Sequence, residues 1–72
     1  MKALITGATG FLGGTLTRRL HSMGWDVTAL GRNPKKLNQL EDEGIRALQI
    51  ELKDKKVLAD ACKEQEVVFH CA

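Results

Sequence analysis

Seventy-two residues allow one small domain at most, and a chain with 43% apolar and 28% charged residues has the make-up of an ordinary soluble protein. A net charge of +2, with two Phe, one Trp and no Tyr, supplies neither the basic stripe nor the aromatic platform of a nucleic-acid-binding module. No apolar run approaches the roughly 18 residues of a membrane span, and Met1-Lys2 leads straight into the first element with no leader peptide, so a cytoplasmic protein is expected.

In chain order, Ala3-Leu4-Ile5 is a short apolar run suited to a strand buried on both faces. Gly7, Gly10 and Gly13 follow at a spacing of three. A first helix is predicted from about Phe11 to Met23, with Leu12, Leu16, Leu20 and Met23 inward and Arg18, Arg19, His21 and Ser22 facing water. Gly24 ends it. Gly13 fits a place where this helix packs closely on the strand, whereas Gly14 has no evident reason. Trp25 to Leu30 reads as a second strand. Asn33 then caps a second helix, with Pro34 at its first position, Leu37 and Leu40 inward, and Gly44 at its end. Ile45 to Ile50 is a third strand, and Arg46 and Gln49 suit it to a sheet edge. Asp54 is placed to cap a third helix from Lys55 to about Glu64, with Leu58, Ala61 and Cys62 inward. Val67 to Cys71 is the fourth strand. The alternation β-α-β-α-β-α-β argues for an α/β fold with a parallel sheet and right-handed crossovers.

Strand, glycine turn and helix start, in that order, make a phosphate site. The absent side chains let backbone approach a diphosphate, and the helix start offers unpaired N–H groups at the positive end of its dipole. The expected pyrophosphate contacts are the amides around Gly7, Thr9, Gly10, Phe11 and Leu12. Cys62 and Cys71 match neither a metal spacing nor a disulfide framework and are expected to be buried free thiols. His70 is expected to be a packed strand residue, since no partner for it is evident.

Thr6-Gly7-Ala8-Thr9-Gly10-Phe11-Leu12-Gly13 resembles the cofactor loop of the extended short-chain dehydrogenase/reductases, which include nucleotide-sugar epimerases, dehydratases and dihydroflavonol-reductase-like enzymes. Val68-Phe69-His70-Cys71-Ala72 is similar to their fourth strand. The resemblance covers the whole chain but only the first part of such an enzyme. It implies a Rossmann-like sheet of order 3-2-1-4, an incomplete doubly wound domain, with the first two helices on one face and the third on the other. It places Glu51-Leu52 beside the adenine, where the family usually has Asp-Leu, and Cys71-Ala72 beneath the cofactor. NAD readers usually carry an acid at the end of the second strand, about 20 residues past the loop. Here Leu30-Gly31-Arg32-Asn33 stands there, and the nearest acid, Asp26, is at the strand's other end. Arg32, helped by Lys35 or Lys36, can instead pair with a 2′-phosphate, so NADP(H) is expected in preference to NAD.

The reductases resembled use a Tyr with a Lys four residues later, and this chain has no tyrosine. It is expected to be the amino-terminal part of a longer oxidoreductase or epimerase, or a truncated product, inactive by itself and with no catalytic or metal-ligating residues of its own. An alternative stays open: a self-associating fragment without cofactor affinity, pairing two chains through the fourth strand as an unprotected edge.

Overall fold

Strands rich in small and branched apolar residues, each followed by an amphipathic helix, can bury both faces only as a parallel sheet. The computed structural model describes residues 1–50 and 55–71. The expected cap Asp54 and the side chain of Leu58 lie outside the described residues. The elements are β1 (Lys2–Thr6), α1 (Phe11–Ser22), β2 (Asp26–Gly31), α2 (Pro34–Asp42), β3 (Arg46–Gln49), α3 (Lys55–Cys62) and β4 (Val67–His70). The sheet is wholly parallel with order β3-β2-β1-β4, as expected. In register, Leu4 lies between Thr28 of β2 and Val68 of β4. β3 is an edge strand, as Arg46 and Gln49 suggested.

Central β1 is the most enclosed element: Ala3, Leu4 and Ile5 have no exposed surface. Removing a Leu or Ile side chain from water contributes about 1.5–3 kcal/mol. One face of the sheet presents Ala3, Ile5, Val27, Ala29 and Ala47, and these pack with Leu20 of α1 and with Leu37 and Leu40 of α2. Leu4, Thr28 and Leu30 are buried on the other face. Right-handed crossovers put α3, which runs from β3 back across to β4, on that other face.

The helix ends follow the sequence closely. Asn33 Oδ1 accepts hydrogen bonds from the N–H groups of Lys35 (3.1 Å) and Lys36 (3.3 Å), with Pro34 at the first helical position. α1 and α2 finish in the same way. Gly24 N–H donates to His21 O and Trp25 N–H to Leu20 O; Gly44 N–H donates to Glu41 O and Ile45 N–H to Leu40 O. Both glycines have positive φ, completing two Schellman closures.

The face expected for α1 is not the one observed. Leu12 is 70% exposed and Met23 62% exposed, so the inward face of α1 is not Leu12-Leu16-Leu20-Met23. It is Gly13, Thr17 and Leu20, with Leu16 partly buried against the core. Gly13 sits directly on the backbone of Gly7 and Ala8, and this contact sets the helix rotation. Leu12, about 100° away around the helix, then falls on the open side. Thr17 tolerates full burial because its hydroxyl donates to Gly13 O at 2.7 Å. Gly14, unexplained in the sequence, lies where a Cβ would come within 3.3 Å of Ala8 O.

Candidate functional site

At the carboxyl end of β1 the chain must leave a buried strand and enter α1 within four residues. Gly7 makes this possible with φ of +69°, a conformation that costs other residues a steric penalty. The turn is closed by Gly10 N–H donating to Gly7 O at 3.1 Å. Gly10 is extended (φ −76°, ψ 169°) and caps α1, so Thr9 and Gly10 lie outside the helix and Phe11 begins it. The first-turn N–H groups of Phe11, Leu12 and Gly13 therefore have no intrahelical acceptor. No acidic residue stands in that turn to neutralise the helix dipole.

This amide edge opens into a cleft of about 350 Å³ lined by Thr6, Gly7, Thr9, Gly10, Phe11, Leu12, Gly13, Leu30, Gly31, Arg32, Ile50 and Cys71. These residues come from the glycine loop, the start of α1 and the carboxyl ends of β1, β2, β3 and β4. The cleft thus spans the switch point between β1 and β4, where the sheet's connections change direction. Phe11 is 92% exposed, and with Leu12 it leaves the helix start clear of packed side chains. Gly10, lacking Cβ, keeps the floor open beside Gly7 O. The residues present therefore fit a dinucleotide's diphosphate.

Of the residues expected in the site, Gly7, Thr9, Gly10, Phe11, Leu12, Arg32 and Cys71 line this one cleft. Glu51, Leu52 and Ala72 lie outside the described residues. Gly10 N–H is already engaged by Gly7 O, so Gly10 contributes room more than a donor. Arg32 is exposed just past the end of β2, while Asp26 pairs in register with Lys2 at the start of that strand. Five residue steps of strand separate Asp26 from Gly31, about 17 Å, too far for its carboxylate to reach a ribose at the cleft. Cys71 and Cys62 are free thiols but only partly buried.

His70 departs from expectation. It is exposed, and its Nδ1 lies 2.6 Å from Thr6 Oγ1, across the β1–β4 pair. Sequence reasoning also missed Thr6, Leu30, Gly31 and Ile50 as lining residues. The usable signal was position: each ends or follows a strand at its carboxyl end, where open α/β sheets bind ligands. Among the described residues no group of three potential metal ligands converges, and no helix is long and apolar enough to cross a membrane.

A family model described as NAD(P)H-binding matches residues 7–72. The chain is 35% identical over 68 residues to the sterol-4-alpha-carboxylate 3-dehydrogenase, decarboxylating, of Dictyostelium discoideum, covering 94% of this chain and 21% of that protein. It is 33% identical over 72 residues to sterol demethylase protein B of Methylococcus capsulatus, covering 100% of this chain and 22% of that protein. Among solved structures, an oxidoreductase of the short chain dehydrogenase/reductase family from Burkholderia thailandensis superposes with a TM-score of 0.79 at 33% identity, covering 93% of this chain and 29% of that one. The chain thus spans about a fifth of the length of these curated relatives. A glycine loop leading into a bare helix start, at the switch point of a 3-2-1-4 parallel sheet, agrees with all of these matches: the chain belongs to the NAD(P)H-binding family, on the Rossmann-like fold of the short-chain dehydrogenase/reductases.

Proposed function

We propose that this chain is the cofactor-binding portion of an NADP(H)-dependent oxidoreductase or epimerase and carries no turnover alone. The observation behind this reading is the open cleft at the β1–β4 switch point, with a bare helix start on one wall and Arg32 on another. The amides of Thr9, Phe11 and Leu12 would hold the diphosphate, with Gly7 and Gly10 giving it close approach. The end of β2 would face the adenosine ribose. There the Arg32 guanidinium would pair with a 2′-phosphate, and among the described residues no carboxylate lines the cleft. Cys71, at the cleft edge past β4, would lie beneath the cofactor. When bound, the nicotinamide would supply hydride-transfer chemistry. This chain's residues bind and orient the cofactor, and with no tyrosine in the chain there is no phenol to move the substrate's proton.

Fluorescence titration of NADPH and NADH tests the reading. Saturable NADPH binding, weakened about tenfold or more by Arg32→Glu with NADH little changed, supports it. Absence of saturable binding of either cofactor overturns it. A second reading, pairing of two chains through β4, has one observation in its favour: β4 is a sheet edge and Val68 on it is 47% exposed. Light scattering that shows only monomer at tens of micromolar removes it.

A further inference from the structure

Lys36 follows Arg32 by four residues, which in the sequence groups the two as joint readers of a 2′-phosphate. In the structure they stand on different sides of the glycine loop. Arg32 lines the cleft, whereas Lys36 lies in a neighbouring depression with Ala8, Gly14, Arg18 and Gln39, and Thr9, Gly10 and Phe11 border both. The Lys36 ammonium donates to Thr9 O at 3.1 Å, a contact across 27 residues from α2 to the loop.

Two further contacts fix the same stretch. Ala8 N–H donates to Leu30 O at 2.9 Å. Gly31 is so close to Thr9 that an added Cβ would lie 2.5 Å from Thr9 Cγ2. Ala8 and Thr9 are therefore tied at three points to the end of β2 and to α2, one of them a charged donor. Because a peptide unit is planar, fixing Thr9 O also fixes the Gly10 N–H, which points at Gly7 O. A rotation of that unit would turn Thr9 O toward the cleft, where a carbonyl oxygen opposes an anion.

We propose that Lys36 is a positioning residue: it pins the Thr9–Gly10 peptide with its carbonyl turned away from the cleft and so holds the amide cradle in its anion-accepting form. This rests on the dinucleotide reading of the cleft. It makes Lys36 serve the diphosphate shared by NADH and NADPH and leaves the 2′-phosphate to Arg32. Lys36 is exposed, so its substitution leaves the core intact.

Two measurements on the 72-residue chain test the proposal. In fluorescence titration, Lys36→Met weakens NADH and NADPH by the same factor, about three- to tenfold, and Lys36→Arg, which keeps a charged donor, restores most of the loss. In the unliganded chain, amide hydrogen exchange at Gly10 becomes faster in Lys36→Met and is unchanged in Lys35→Met, which removes the same charge one residue away. Loss of NADPH affinity alone overturns the proposal in favour of a 2′-phosphate contact. Unchanged binding of both cofactors, or equal acceleration of exchange by both Met variants, also overturns it. If the unsubstituted chain binds neither cofactor, the dinucleotide reading fails and the Gly10 exchange decides the pinning role by itself. Acceleration confined to Lys36→Met then supports it, and its absence refutes it.

Discussion

Gly13→Ala adds one methyl group where α1 crosses the end of β1. An added Cβ would collide with Gly7 O and would lie 2.8 Å from Gly7 C and 2.9 Å from Ala8 Cα. All three obstacles are backbone atoms of the glycine loop, so no side chain can swing aside. In an open helix the same change would stabilise by about 1 kcal/mol through helix propensity. Forcing atoms into a filled contact costs about 1–3 kcal/mol, and a rigid obstacle favours the upper part of that range. The balance is a net loss of about 1–2 kcal/mol, or a melting temperature lower by roughly 5–15 °C for a domain of this size. Gly14→Ala is the internal control: its Cβ would meet Ala8 O at 3.3 Å and Arg18 Nη1 at 3.6 Å, a tight but yielding fit. Propensity then offsets crowding, and stability stays within about 1 kcal/mol of the parent. Thermal and urea melts followed by far-ultraviolet circular dichroism compare the two, with NADPH titration on the folded variants. Because Gly7 O also holds the Gly10 N–H, Gly13→Ala should weaken cofactor binding as well as folding. A Gly13→Ala chain as stable as the parent, with cofactor binding intact, would refute the account of α1 rotation given above.

Asn33→Ala removes the acceptor of two N–H groups at the start of α2 and should cost about 1 kcal/mol in urea melts. An unchanged midpoint would mean that the cap contributes nothing. Gly31→Ala places a methyl 2.5 Å from Thr9 Cγ2, and here the obstacle is a side chain. Thr9→Ser, which lacks that methyl, should recover part of the loss, with a coupling of about 0.5–1.5 kcal/mol in a double-mutant cycle. Additive effects of the two substitutions would show that the Thr9–Gly31 contact is not the cause.

The parts of the fold written in local chemistry were legible in the sequence. Asn33-Pro34 announced the start of α2, Gly24 and Gly44 announced helix ends, and the uninterrupted Ala3-Leu4-Ile5 run announced a strand enclosed on both sides. The strand order came from the likeness of two short segments to a known family, because local pattern does not encode which strands lie side by side. The face of α1 was misread because hydrophobic periodicity counts leucines and is blind to glycine. Gly13 presents no side chain, yet its contact with Gly7 and Ala8 decides the helix rotation. Thr17 scores as polar, although an intrahelical hydrogen bond satisfies its hydroxyl and permits burial. Contacts such as Thr6 with His70, 64 residues apart, or Lys36 with Thr9 depend on register and helix placement, which no single stretch reveals. Within the site, the glycine loop and Arg32 were legible as motifs, whereas Ile50 and Leu30 line the cleft only because their strands end at its rim.

The paired closures at Gly24 and Gly44 sit at the start of β2 and β3, on the rim opposite the cleft. They give the sheet two ends with separate duties. One end is committed to a ligand, and its geometry tolerates little substitution. The other consists of two bends held by their own hydrogen bonds, with open space beside Gly24 and an exposed Met23 next to it, although the positive φ of each glycine still disfavours a side chain at that position itself. That lower rim is the natural attachment point for a fluorophore, a tether to a surface or a fused reporter, since a graft there leaves the glycine loop with every contact it now makes.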